Sequence, residues 1–148
     1  MDHIVYLDYK DNELHHLLAG EKTMIIRGAM GRKYPYGELN INDVLYFTVN
    51  DGSQIVRSKA LIQRFTYSDK LSKDESMALV LKNQKALCLK SRLLNRFGGK
   101  RYIVLIEIKG FIVIDPFKFT RSAFGNMDDW LPVGNIGKNA EVDHPWPI

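Results

Sequence analysis

A chain of 148 residues has the length of one domain and is large enough to bury a core. Its 45% hydrophobic and 26% charged residues are the balance of a soluble globular protein, and no apolar run reaches the ~18–20 residues of a membrane span. The formal charge of +4 is too small to assign a partner by itself, but its distribution is uneven: residues 76–106 carry seven basic side chains and no acidic one.

Cys88 is the single cysteine, so no internal disulfide can form. The opening stretch, MDHIVYLDYK, lacks the basic and apolar regions of a secretory signal, and both features lead us to expect a cytoplasmic protein. Residues 4–7 read as a short apolar strand, followed by turn and cap chemistry at 8–12. Leu14, Leu17 and Leu18 recur at helical spacing, and Gly20 stands where a helix end favours positive φ. His15 and His16 are sequence neighbours that diverge by about 100° on a helix, while His3 and His144 have no partner at ligand spacing. No metal site is expected, nor a cofactor.

The segment 20–37, GEKTMIIRGAMGRKYPYG, organises the rest. Residues 23–27 form a short buried strand whose flanks, Lys22, Arg27, Arg32 and Lys33, bring fixed positive charge to a loop containing Gly28, Gly31 and Gly37. Lys10 lies upstream as a further cation. Backbone amides at such glycines approach an anion closely, and arginine offers a planar fork for phosphate or carboxylate. A solvent-facing basic hairpin fits the same residues.

Farther along, Pro35-Tyr36-Gly37 and residues 40–43 read as turns, with Asn42 suited to the left-handed conformation. Strands at 44–49 and 55–65 flank Asn50-Asp51-Gly52, a strong hairpin signal. In the second strand Val56, Ser58, Ala60 and Ile62 share one face, and Arg57, Lys59, Leu61 and Gln63 the other. Ser72-Lys73-Asp74-Glu75 is a capping box that starts a helix at Ser72. A second short helix spans 90–97 and puts Arg92 and Arg96 on one face, either as a solvated surface or facing an acidic partner that relieves their repulsion. Residues 102–108 read as a central strand, and Gly110 as a turn into a further strand at 111–114.

Hairpin-linked strands interrupted by two helical regions predict an α+β, mainly β, mixed barrel with flanking short helices. Residues 1–136 are expected to form one domain and 137–148 a loosely held tail. Trp130, in the run Asn126-Met127-Asp128-Asp129-Trp130, either stacks on a base or plugs the open barrel end. Asp128 and Asp129 are adjacent, which is too close for them to face a substrate together as an acid/base pair in regular structure.

Gly20, Lys22 and Arg27 resemble the Gly-x-Lys-x-x-x-x-Arg signature of ASCH domains, relatives of the PUA-like RNA-binding modules, and Asn42-Asp43-Val44-Leu45 resembles that family's next turn and strand. The likeness runs from about residue 4 to 115. It implies a PUA-like barrel that binds RNA or a nucleotide, with Lys22, Arg27, Arg32, Lys33, Arg92 and Arg96 available to phosphate and Tyr34, Tyr36 or Trp130 available to bases. It also implies two enzyme alternatives, an amidohydrolase acting on acylated cytidine and a ribonuclease. The amidohydrolase chemistry resembles a Lys, Thr and Glu set. Lys22 matches the lysine, Ile25 stands at the threonine position, Thr23 is the nearest hydroxyl, and Glu75 is the nearest acid. A third reading is a protein-interaction module whose basic helix docks an acidic partner.

Overall fold

The structure, a computed structural model, describes residues 1–120, 129–134, 136 and 140–141. The elements bounded by described residues follow in the order β1 (Asp2–Leu7), α1 (Glu13–Leu18), β2 (Met24–Ala29), β3 (Val44–Val49), β4 (Ile55–Tyr67), α2 (Lys73–Lys82), α3 (Gln84–Leu87), α4 (Ser91–Phe97), β5 (Tyr102–Phe119), β6 (Trp130–Gly134) and β7 (Ala140–Glu141). The strands form one mixed sheet in the order β2-β5-β4-β3-β1-β6, with β7 on β5. All pairs are antiparallel except β1 with β3. This curled, mainly β half-barrel with a few helices is the class expected from the sequence, and no described helix is long and apolar enough to cross a membrane.

Alternation along the strands explains how one sheet supports several apolar clusters. Ile25, Val104 and Ile106 point into the barrel with Phe47, Ile62 and Trp130. Met24, Ile26, Ile103 and Leu105, one residue out of step, point outward and are covered by Val80 of α2 and Leu93 and Phe97 of α4. The unbroken apolar run at the start of β5 is therefore a strand buried on both faces. Leu17 of α1 closes one end of the interior. Ser72 accepts from the Glu75 amide at 3.1 Å while the Glu75 carboxylate accepts from the Ser72 amide at 2.8 Å, the reciprocal cap predicted for α2.

One expected turn is not a turn. Gly110 lies inside β5, which continues to Phe119. Lys59 pairs with Ile112 and Leu61 with Lys109, so the register slips beside Gly110, whose φ of +63° suits a bulge. A bulge residue carries the same local signature as a chain reversal, which is why the sequence suggests one here. The Gly52 hairpin and left-handed Asn42 are as expected. Of the tail, the backbone at Ala140–Glu141 pairs with β5, and the remainder of the loosely held tail expectation lies outside the described residues.

A buried polar knot holds β1 in place. His3 has no exposure. Its Nδ1 accepts from the Trp130 indole N–H at 3.1 Å, so the ring proton is on Nε2, which donates to Asp43 at 2.9 Å. Burial pulls the His3 pKa below 6.5 against the opposing pull of Asp43, with the chain-terminal ammonium and Asp2 contributing in opposite senses. Asp43 is pushed up by burial, yet its bonds from His3, the terminal ammonium and the Asn40 amide leave it below its ordinary value. Because neutral His3 is favoured in the folded state, its stabilisation is complete above pH 6.5 and is lost as pH falls from there toward the depressed folded value. Denaturant unfolding at about pH 7.5 and about pH 5 should show this loss, and His3→Gln, which does not titrate, should flatten it.

Candidate functional site

Three stretches distant in sequence meet at the open seam of the half-barrel. β2 supplies Arg27, Gly28 and Ala29, and the following loop supplies Lys33, Tyr34 and Tyr36. α4 and the start of β5 supply Arg96, Phe97 and Tyr102, and Asp129 enters just before β6. Together they enclose a cleft of about 240 Å³. A second cavity of about 60 Å³ lies against it, sharing Arg27, Arg96, Phe97 and Asp129 and reaching Tyr6, Asp8 and Glu13. Gly28 lines the cleft, and a Cβ there would stand 2.9 Å from Ile103 Cδ1 and 3.3 Å from the Lys100 stem, so those side chains would have to shift.

Arg27 is the most constrained of the lining cations. Its guanidinium donates through Nη1 to the Ile26 carbonyl at 2.7 Å and through Nη2 to the Tyr6 carbonyl at 2.6 Å. It also lies over the Trp130 ring, 5.6 Å from the centroid. Its Nε is 3.3 Å from Asp129 Oδ1, within ion-pair range, but the angle is too poor for a hydrogen bond and this buried nitrogen has no aligned acceptor. Arg96 Nη2 approaches the other Asp129 oxygen at 3.4 Å. Arg27, Lys33 and Arg96 line the cleft, and Asp129 is the one carboxylate among its described lining residues.

The opposite wall is aromatic. Tyr36 stacks on Tyr67 at 4.9 Å and meets Tyr102 edge-on at 5.7 Å. The Arg32 guanidinium sits 5.8 Å from the Tyr36 ring and 5.4 Å from the Tyr102 ring, so Arg32 belongs to the rim. The Tyr34 hydroxyl lies 3.2 Å from His3 Nδ1. Burial pushes the Tyr34 phenol up to about 12, which keeps it a protonated donor at neutral pH.

Other residues named from sequence lie elsewhere. Lys22 precedes β2, as expected if its head were to be directed by the loop, but its side chain has no exposure and does not line the cleft. Its ammonium donates to the Leu87 carbonyl at 2.6 Å and pairs with Glu13 at 3.3 Å. Burial lowers its pKa and Glu13 pulls it back up. The motif lysine thus ties the α3 end and α1 to β2. Arg92 is held by Asp8 and, at 3.4 Å, by Asp11, so the acidic partner expected for the basic helix is supplied by the chain itself. Burial pushes Asp8 up, but Arg92 and the Asp11 and Lys10 amides hold it below its usual value. Trp130, only 1% exposed, packs in the interior cluster under the Arg27 guanidinium and offers no free stacking face. Ile25 is buried in the core, while Thr23 and Glu75 are exposed and neither lines the cleft. No cluster of three or more possible metal ligands occurs among the described residues. The expectations placed on Asn126, Met127 and Asp128 fall outside those residues.

Sequence reasoning missed Asp129 and Tyr102 as cleft residues and Glu13 as the partner of Lys22. An acid in the first turn of α1 was the available signal for Glu13. Tyr102, at the head of an apolar strand, and Asp129, in an irregular segment, carried none.

The architecture and cleft define a curled β half-barrel with a cationic seam. Among solved structures the chain is similar to ASCH from Zymomonas mobilis, with 12% identity over 89% of this chain and 87% of that one at a TM-score of 0.65. A tyrosine-to-phenylalanine variant of the same Zymomonas protein gives 11% identity, 89% coverage of each chain and a TM-score of 0.64. A serine-to-alanine variant gives 11%, coverage of 79% and 73%, and 0.59. No family model and no curated protein matches the sequence. At these identities the likeness concerns the fold: the chain has an ASCH-like fold.

The environment of Lys22 makes a structural demand. Lys22→Ala leaves Glu13 without its ion partner and the Leu87 carbonyl without its donor, a loss of about 3–5 kcal/mol typical of breaking a buried pair. The double variant Lys22→Met with Glu13→Gln keeps the volume without a stranded charge and should recover much of that loss in urea unfolding.

Proposed function

We propose that this protein binds RNA or a nucleotide in the cleft between β2, the 30–37 loop, α4 and Asp129. The observation that carries the proposal is the convergence of Arg27, Lys33 and Arg96 with Tyr34, Tyr36 and Tyr102 around one cavity of about 240 Å³. Phosphate calls for fixed cations, and an unpaired base calls for flat aromatic or guanidinium surfaces. Base stacking on such surfaces contributes about 1–3 kcal/mol per base and tolerates any base. Arg32, over Tyr36 and Tyr102, extends both the charge and the planar surface beyond the rim. The ASCH-like fold supports the same class of ligand. Lys22 contributes by holding the site's scaffold, since its ammonium is enclosed. Thr23 and Glu75 stand outside the cleft, so the proposal is one of binding and not of turnover.

Titration of a labelled single-stranded RNA at several salt concentrations tests this. Affinity should fall with salt, with a slope of about −0.7 per phosphate contact. Arg96→Ala and Lys33→Ala should each weaken binding and reduce the slope by roughly one contact, whereas Arg92→Ala, whose side chain faces Asp8 and Asp11 and not the cleft, should change it little. Salt-independent binding, or Arg96→Ala behaving as the parent protein, would reject the proposal. An acidic protein that binds this surface and is not displaced by RNA would favour a docking role instead.

A further inference from the structure

We infer that the Asp129 carboxylate occupies the anion position of the cleft and exchanges with a terminal phosphate monoester, on a nucleotide or a strand end, in preference to an internal phosphodiester. This rests on the cleft being the nucleotide or RNA site.

Arg27 cannot come out to meet a ligand. Its side chain is only 9% exposed, and both terminal nitrogens are committed to main-chain carbonyls. What remains is the buried Nε, with no aligned acceptor, in the wall of the cleft. Asp129 stands opposite and bridges Arg27 and Arg96 at 3.3 and 3.4 Å. Charge-assisted pairs of this type normally close to about 2.7–2.9 Å, so both contacts are loose. The Asp129 side chain is 39% exposed and can turn toward solvent, while Trp130, buried beside it, keeps the main chain in place. Among the described residues of the adjoining cavity, Asp8 is committed to Arg92 and Glu13 to Lys22.

An incoming ligand therefore exchanges with a singly charged carboxylate. A phosphodiester also carries one negative charge, so replacing Asp129 with it gains little electrostatically and adds a second ester arm to accommodate. A monoester carries about −1.5 to −2 near pH 7 and presents three oxygens. It can satisfy Arg27 Nε and Arg96 together, the two groups that Asp129 bridges. Size agrees: the main cavity, about 240 Å³, falls below the roughly 300–1,000 Å³ of drug-sized pockets. It suits one nucleotide unit and not a threaded strand.

Calorimetric binding of adenosine 5′-monophosphate, its methyl phosphodiester and inorganic phosphate, at about pH 7.5 and about pH 5.5, tests the inference on either side of the monoester's second ionisation near 6. The monoester should bind at least about tenfold tighter than the diester at the higher pH, and the ratio should shrink at the lower. Asp129→Asn keeps the side chain's size and removes its charge. It should strengthen binding of both esters, since neither then has to displace a bound carboxylate, with the thermal midpoint confirming that the variant is folded. If it is not, Asp129→Ser makes the same comparison. Oligonucleotides with and without a 5′-phosphate separate the two sources: preference for the phosphorylated oligonucleotide over the free nucleotide supports a strand end, and the reverse supports a nucleotide. Equal affinity for monoester and diester in the parent protein, or no gain in monoester affinity in Asp129→Asn, overturns the inference. If single-stranded RNA still binds in an Arg96-dependent way, the binding site survives that failure. If no phosphate compound or RNA binds at low salt, both fail together.

Discussion

The structure depends on the guanidinium of Arg27. The sheet runs from β2 to β6, and among the described residues no backbone ladder joins those two ends. Arg27, on β2, spans the gap by donating to the Tyr6 carbonyl on β1 and lying over Trp130 at the head of β6. A planar fork with several fixed donors suits this task, because one side chain can satisfy carbonyls from two strands at once. Burying a full charge is costly unless its hydrogen bonds are made, and here main-chain oxygens supply most of them. The seam is left as a cleft because one cationic side chain, and not a continuous strand pair, closes it.

Lys22 applies the same physics at the other end of β2. Its enclosed ammonium is compensated by Glu13 and the Leu87 carbonyl, so α1, the end of α3 and β2 share one polar anchor. The two motif cations thus have a common structural role, and only Arg27 also reaches the cleft. Arg96 and Lys33 also line the cleft, with Arg32 at the rim. Rigid cations behind and more exposed ones in front form a site whose inner wall cannot rearrange and whose outer wall can.

The aromatic wall is coupled to the knot that holds β1. His3 joins Asp43, Trp130 and Tyr34 through its two ring nitrogens, so the phenol facing the cleft is positioned by a buried, neutral histidine. Tyr36 is fixed in turn by stacking on Tyr67 and by its hydroxyl donating to the Ser68 carbonyl at 2.5 Å. A cleft built this way is largely pre-formed, which lowers the ordering cost of binding a small, rigid ligand.

Local chemistry determined much of the chain without help. The capping box at Ser72, the Asn50-Asp51-Gly52 hairpin, left-handed Asn42 and the alternating faces of residues 56–63 follow from interactions within a few residues, and sequence exposes such interactions. Gly110 shows the limit: a bulge and a turn require the same backbone freedom, and only the partner strand decides between them. The site shows it more strongly. Basic residues could be counted along the chain, but whether each one points to solvent, to an internal acid or into the core depends on what packs opposite it. Glu13 captures Lys22 across nine residues of sequence, Asp8 and Asp11 capture Arg92 from the far end of the chain, and Asp129 enters beside Arg27 from a segment with no periodic signal. The sequence by itself determined that a mainly β domain carries cations around residues 20–37. Tertiary structure decided which of those cations are scaffold and which line the cleft, because burial and pairing are set by contacts between distant segments.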